Sequence, residues 1–402
     1  MSTNPDVYGY PRRLELALKQ LENNKTIVAK NRQAISRFYE ESVAQGLSTP
    51  RLIRLIQILS KLSIMLGKNF ESANRDDIVQ VVANIEREKY SDWTKQSYKV
   101  GLKKFYKWLR RTESDYPPEV RWIKATAKKN NNLLPEELLT EEEVRKLAEA
   151  ADNPRDRALV LVLYETGCRA GEILSLRVKH ISVDEHGATL IVMGKTGMRR
   201  VRIIASQPAL AEWLNNHPLK DNPDAPLWLV IGTKNKNEAL TYEAFRMALQ
   251  RLAKKIELKK RIHAHLFRHS RASHLATNLT EAQMDHYLGW MPGSKMPAVY
   301  VHLSGRDVDK TLLKMHGMEV EEKQQEAKLK VRFCARCKER NSPVSRFCSR
   351  CGSPLDMQTA LQVQEERTKA DELMTKLLSD PDVQSVIKRK LQQMDIKLEA
   401  IS

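Results

Sequence analysis

Long apolar runs are missing from this chain of 402 residues: none approaches the ~18 residues that a membrane-spanning helix requires. The start, Met-Ser-Thr-Asn-Pro-Asp, lacks a basic stretch followed by an apolar one, so a cytoplasmic protein without membrane contact is expected rather than a secreted one. Aromatic residues are only 6%, yet the 41% hydrophobic content is enough to bury real cores, and 29% charged residues exclude a membrane-like composition. There is no solenoid-length repeat, so the chain should divide into unlike units, two or three at the usual domain size. A Walker A phosphate loop is absent, and no acidic cluster is placed to hold catalytic magnesium. Cysteines number only five, and without a secretion signal they are not expected to form disulfides. One thing is abundant: 68 Lys and Arg against 50 Asp and Glu leave a net charge of +18, which points to a polyanionic partner. The excess is concentrated early, at +11 over residues 1–133 from 25 basic and 14 acidic residues.

Breakers and caps suggest the organisation. Residues 12–111 read as helical throughout: Thr49-Pro50 is expected to open a helix from Leu52 to Leu66, and Asn74 to cap Ile78–Ile85. Tyr98, Leu102, Phe105 and Leu109 then line one helical face, with Lys95, Lys99, Lys103, Lys104 and Lys107 between them; these lysines suit a solvated face or phosphate contacts equally. A helical domain over 12–115 is expected to end at Asp115-Tyr116-Pro117-Pro118, with a linker over 116–133 that includes the Lys/Asn run at 128–132. A second domain, 134–316, opens on the capping box Thr140-Glu141-Glu142-Glu143. It alternates helices, near 141–150, 154–166, 208–216, 241–256, 266–277 and 281–288, with a small antiparallel sheet formed by Val178–Val183, Thr189–Met193 and Val201–Ile204. A charged connector over 317–330 follows, then a module over 331–355 and a helical tail over 356–402 in which Ile387, Leu391, Met394 and Leu398 share a face. The fold class is thus mainly α with a small antiparallel β-sheet.

The chemistry-bearing residues run in order: Tyr-Glu-Thr-Gly-Cys-Arg169-Ala-Gly-Glu172, Gly-Lys195-Thr-Gly, His265-Leu-Phe-Arg268-His269, Leu-Gly-Trp290 and Tyr300-Val-His302. Each alone has an ordinary structural explanation; together they suit phosphodiester chemistry. Two arginines offer planar forks of donors that remain charged at any working pH. A lysine and a histidine supply protons for a leaving alkoxide, an indole supplies one donor, and a tyrosine supplies an oxygen nucleophile. Cys168 reads as a small packing residue, and His269 and His302 as supporting neighbours.

This order of residues resembles the tyrosine recombinase, or phage integrase, family, and the phrase Gly-Lys-Thr-Gly-Met-Arg-Arg-Val-Arg resembles archaeal integrases. The resemblance is strong over residues 140–302 and weaker from 12 to 139. It implies a helical core-binding domain followed by a catalytic domain, both engaging double-stranded DNA. Residue by residue, it implies that Arg169 and Arg268 are the catalytic arginines, with Glu172 as the acidic partner that positions the site. Lys195 would be the leaving-group acid, and His265 the histidine of the His-x-x-Arg pair. Trp290 would stand where family members carry His or Trp, and Tyr300 would be the nucleophile. The implied activity is DNA strand cutting and rejoining through a 3′-phosphotyrosyl bond, without ATP or a catalytic metal, as a tetramer on paired sites and in association with the nucleoid. A type IB topoisomerase, or a DNA-binding regulator with an inactive recombinase body, are the alternatives.

The second constellation is Phe333-Cys334-Ala-Arg-Cys337 and, ten residues on, Phe347-Cys348-Ser-Arg-Cys351-Gly352. Two Cys-x-x-Cys knuckles in similar surroundings predict one structural zinc per chain held by Cys334, Cys337, Cys348 and Cys351, as in a zinc ribbon, with a redox pair or an iron-sulfur site as the alternatives. A unit of about 25 residues has too little apolar area to fold without such a staple. With six basic residues and one acid over 331–355, it suits DNA or a partner protein.

Overall fold

The computed structural model describes residues 6–126, 134–194, 196–233, 235–303, 315–317 and 329–393, the side chains of 301–303, 391 and 392 aside. The chain forms two compact units that divide between Leu133 and Leu134.

The first unit contains helices α1 (Tyr10–Asn23), α2 (Ala29–Ala44), α3 (Thr49–Leu66), α4 (Arg75–Arg87) and α5 (Asp92–Leu109) and the single turn α6 (Pro118–Arg121). Their apolar stripes meet in a core that includes Leu21, Ile35, Phe38, Leu59, Leu62, Phe70, Ile78, Ile85, Leu102 and Phe105. Asn74 caps α4 as expected, accepting from the Asp77 amide at 3.1 Å, and the Asp77 carboxylate accepts in return from the Asn74 amide at 2.8 Å. The start of α3 differs from expectation. Ser48 is its cap and Thr49 is already helical, because a proline anywhere in the first turn sacrifices only an amide that has no helical partner. The lysines of α5 are also less free than a solvated face implies. Lys99 pairs with Glu86 at 2.5 Å, and Lys103 and Lys107 donate to the carbonyls of Ile123 and Ser114. Part of the expected linker belongs to this unit too, because Val120 and Ile123 offer apolar side chains that close its core; residues 127–133 lie outside the described residues.

In the second unit, α7 (Glu141–Glu149), α8 (Pro154–Thr166) and α9 (Ala170–Leu174) precede a sheet of β1 (Ile181–Asp184), β2 (Gly187–Gly194) and β3 (Gly197–Ile203). Helices α10 (Gln207–Asn215), α11 (Tyr242–Lys255), α12 (Ala264–Leu275), α13 (Glu281–Leu288) and α14 (Met296–Leu303) follow. The run Ala-Leu-Val-Leu-Val-Leu-Tyr in α8 is apolar all round, and the helix is buried all round as a central post against α7, α10 and α12. The sheet is antiparallel in the order β1-β2-β3, with Leu190 opposite Val201. Its first strand starts later than the apolar pattern suggests. Val178–His180 is a 3-10 turn, since the amides of Val178 and Lys179 bond to Ala225 and Pro223 rather than to a neighbouring strand.

The chain then forms the hairpin β4 (Arg332–Phe333) and β5 (Arg340–Asn341), and the helices α15 (Met357–Ser379) and α16 (Pro381–Gln393). The hairpin rests on the β1–β2 turn through Arg340, which donates to the carbonyl of Glu185 at 2.5 Å. Ile387 stands exposed rather than packed, as do Leu373 and Leu377; Met394 and Leu398 of the expected stripe lie outside the described residues. Among the described residues no helix is long and apolar enough to cross a membrane.

Candidate active site

Two helix ends build the site. Helix α8 stops at Gly167 and α13 at Gly289, both in the left-handed conformation that glycine adopts freely, with φ of 56° and 64°. Around these stops the chain turns sharply and presents Arg169 and Trp290. The buried guanidinium of Arg268, from the middle of α12, donates to the carbonyls of Gly167 at 2.9 Å and Leu288 at 2.6 Å. Arg169 caps α9 and reaches across to the carbonyl of Gly289 at 3.2 Å. Residues more than a hundred positions apart therefore converge because each arginine bonds to the helix end from which the other part of the site departs.

Glu172, 3% exposed, ties the arginines together. It accepts from Arg169 Nη1 at 2.7 Å, from the Arg169 amide at 3.0 Å and from Arg199 Nη2 at 2.8 Å. Burial pushes its carboxyl up, but the hydrogen bonds and charges of Arg199 and Arg169 outweigh it, and the net shift is downward: the group stays ionised. Arg199 is a site residue that motif reading missed. The alternation of β3 turns Arg199, Val201 and Ile203 inward together, so a period-two count would have put an arginine on the buried face. Its Nε donates to Tyr287 O at 3.0 Å, while Nη1 is buried without a partner. Cys168 lies 3.6 Å from Arg199 Nη2; burial raises its thiol to about 11, which keeps it neutral and suits a packing residue.

Lys195, expected in the β2–β3 turn, lies outside the described residues. Thr196 donates to the Gly289 carbonyl at 3.4 Å, the same carbonyl that accepts from Arg169. His265 is exposed in the first turn of α12, and desolvation together with the Arg268 and Arg169 charges lowers its pKa. Burial and the Arg169 charge bring Arg268 down to about 10. Trp290 uses its faces: the Arg268 guanidinium lies over the indole 5.3 Å from its centre, and the Tyr300 ring stacks on it at 5.4 Å and 6°.

Tyr300, on α14, is 2% exposed, and burial pushes its phenol up to about 12. Its hydroxyl bonds to Nδ1 of His269 at 2.5 Å. The sequence marks His269 only as a supporting neighbour; its place four residues after His265, on the same face of α12, is the signal that it also faces the site. Burial first, then His265, His263 and Arg268, lower its pKa to about 4, so the ring is neutral near pH 7. The side chain of His302 is not among those described.

Away from this site, the sulfurs of Cys334, Cys337, Cys348 and Cys351 lie within 4.8 Å of one another. Cys334–Cys351 and Cys337–Cys348 are 3.6 and 3.5 Å apart. That is far beyond a disulfide of ~2.05 Å. It is close to the edge of roughly 3.8 Å expected for four thiolates ~2.3 Å from one central ion. Gly352, at φ 70°, makes the tight turn after the second knuckle.

The fold is that of tyrosine recombinases. A solved lambda integrase dimer bound to a COC′ core site aligns at a TM-score of 0.55, with 17% identity, over 68% of this chain and 78% of that one. A XerH site-specific recombinase in a post-cleavage complex with its difH substrate aligns at 0.53, with 18% identity, over 79% and 98%. Residues 137–306, the segment that carries the candidate site, match the phage integrase family. The tyrosine recombinase XerA of Pyrococcus furiosus is 35% identical over 139 residues, which are 34% of this chain and 47% of the relative. The chain thus spans about half the length of the archaeal XerA relatives it matches. XerC of Alcanivorax borkumensis is 25% identical over 67% of this chain and 89% of the relative.

Proposed function

We propose that this protein is a site-specific DNA recombinase that cuts and rejoins duplex strands through a covalent 3′-phosphotyrosyl intermediate. One observation carries the reading: Arg169, Arg268, Trp290 and Tyr300, distant in sequence, meet around the helix stops at Gly167 and Gly289. In this reading the guanidinium groups of Arg169 and Arg268 hold the scissile phosphate and neutralise the charge that builds on it in the transition state. Tyr300 attacks phosphorus, and Lys195 protonates the departing 5′ oxygen from the hairpin turn. His265 donates to a phosphate oxygen from the open side of the site, and Glu172 positions Arg169. The bond energy is kept in the phosphotyrosine, so neither ATP nor a catalytic metal is needed. The net positive charge and the named relatives, all recombinases, support this over a topoisomerase or an inactive regulator.

The same proposal assigns DNA binding to the helical first unit, catalysis to 134–316 and a structural zinc site to the four cysteines, whose thiolates fit such an ion. It includes a tetramer on paired sites, as for the lambda integrase tetramer solved on a Holliday junction, and a place of action at the nucleoid. A nicked suicide substrate tests the core of it. Wild-type protein should become trapped on a 3′-phosphate, and Tyr300→Phe, which lacks the attacking oxygen, should yield no adduct while still binding DNA. An adduct that persists in Tyr300→Phe refutes the assignment.

A further inference from the structure

The four-cysteine site draws its ligands from two knuckles, and one side chain from outside the knuckles grips both. We propose that Asn341 is the positioning residue of this site: it fixes the Cys348 sulfur for the metal and locks the second knuckle to the first. This rests on the structural zinc reading above. Strand β5 is two residues long, and its alternation sends Arg340 out to the Glu185 carbonyl and Asn341 inward, where it is fully buried. Asn341 Nδ2 donates to the Glu339 carbonyl at 2.9 Å and reaches the Cys348 sulfur at 3.8 Å, with the Arg332 carbonyl of β4 at 3.5 Å. Its Oδ1 accepts from the amide and the hydroxyl of Ser349 at 2.9 and 3.2 Å.

The contacts require a carboxamide. A backbone amide can only donate, so Ser349 fixes which end of Asn341 is oxygen, and the N–H groups are left facing Glu339 and Cys348. The Glu339 carbonyl belongs to the first knuckle, where it also accepts from the Cys334 amide at 2.9 Å. Ser349 follows Cys348 in the second knuckle, so a single buried side chain spans both cysteine pairs. The amides of Cys351 and Arg350 bond to Cys348 as well, but they come from its own knuckle and tie it to nothing else. Among the described residues Asn341 supplies the side-chain N–H that reaches one of the four sulfurs. Four thiolates around one divalent ion leave an excess of negative charge, and an N–H aimed at one of them offsets part of it while holding that sulfur in place. Without the carboxamide the Ser349 amide loses its acceptor and the knuckles lose their link.

The test uses full-length protein stripped of metal, titrated with zinc against a chromophoric chelator and, separately, with cobalt(II) alone, whose sulfur-to-metal charge-transfer absorption reports on the thiolates. Asn341→Ala should weaken zinc binding by about 10- to 100-fold. Asn341→Asp has the same shape and keeps an acceptor for Ser349, but it turns a carboxylate oxygen toward the Cys348 sulfur, so it should weaken binding at least as much. In both variants the cobalt absorption should move to longer wavelength, because a thiolate without its N–H bond gives up electron density more readily. Ser342→Ala is the packing control: it removes a neighbouring buried hydroxyl that has no partner, and it should change neither readout. An Asn341 variant that takes up no metal while Ser342→Ala loads normally shows the same loss in full. The proposal is overturned if either Asn341 variant binds zinc within about threefold of wild type, if the cobalt absorption of the loaded variants stays at the wild-type wavelength, or if Ser342→Ala loses as much as Asn341→Ala. If wild type binds zinc and the Asn341 variants match it, only this inference fails; if wild type takes up neither ion, the zinc reading fails with it.

Discussion

Exchanging Glu172 for glutamine tests whether the site is held by one buried charge. The carboxylate is 3% exposed and accepts three hydrogen bonds, two from Arg169 and one from Arg199, itself 8% exposed. Glutamine keeps the volume but removes the charge and turns an amide donor toward a guanidinium. Breaking a buried ion pair from one side costs ~3–5 kcal/mol, and since glutamine retains one acceptor oxygen, about 3 kcal/mol is expected. At roughly 2–4 °C per kcal/mol for a unit of this size, calorimetry should show a fall in Tm of about 6–12 °C. Suicide-substrate cleavage should fall as well, because Arg169 loses its tether. Asp184→Asn is the control: it breaks the exposed, solvent-screened pair with Arg202 and should leave both readouts nearly unchanged. Adding Arg199→Met to Glu172→Gln should restore part of the loss, because the orphaned cation goes too. A Glu172→Gln protein that melts within about 2 °C of wild type would refute the reasoning.

Acid should weaken the second unit before its carboxylates matter. His263, His265, His269 and His274 all have folded pKa values below 6.5, so the unfolded chain takes up protons first and stability falls as pH drops from 6.5 toward about 4. Glu172, lowered as well, adds a further loss below its ordinary range of about 4.5, and a Tm at pH 5 equal to that at pH 7.5 would contradict this account. Protein purified without chelator should contain one zinc per chain, and chelation should unfold residues 331–355 while sparing strand cleavage. Elemental analysis finding no zinc, or cleavage lost on Cys334→Ser with the second unit still folded, would reject one half of that statement or the other.

Helix boundaries were legible where residue chemistry marks them: Thr140 and Asn74 cap helix starts and Gly167 a helix stop, each where its chemistry suggests. Where tertiary bonds decide, local pattern fails. Val178 reads as a strand residue, but its amide is taken by Ala225, and the proline-rich stretch after Tyr116 reads as a linker but feeds Val120 and Ile123 into a core. The candidate site divides in the same way. Arg169, Arg268, Trp290 and Tyr300 stand in recognisable phrases, so motif order alone was enough to select them. Arg199 carries no motif, and its importance comes from the strand face it occupies and from a carboxylate that lies 27 positions earlier. The contact between His269 and Tyr300 depends on how α14 packs on α12, which no local pattern in either segment encodes.

The way Arg268 is held has an electrostatic consequence. Its fork ends on carbonyls at the tails of α8 and α13, where each helix dipole presents its negative end. These partial charges orient the cation without cancelling it. Among the described residues Glu172 is bonded to Arg169 and Arg199, while Arg268 bonds to carbonyls alone, so three guanidinium groups stand beside one carboxylate and the site stores a surplus of about two positive charges next to a buried tyrosine. Mutual repulsion among the guanidinium groups is thus a standing strain that an incoming phosphodiester anion would relieve in part and that the second negative charge of a phosphoryl-transfer transition state would relieve further. The glycines at 167 and 289 therefore serve as sockets as much as stops: whatever displaces a helix end also displaces the positive potential aimed at the ligand.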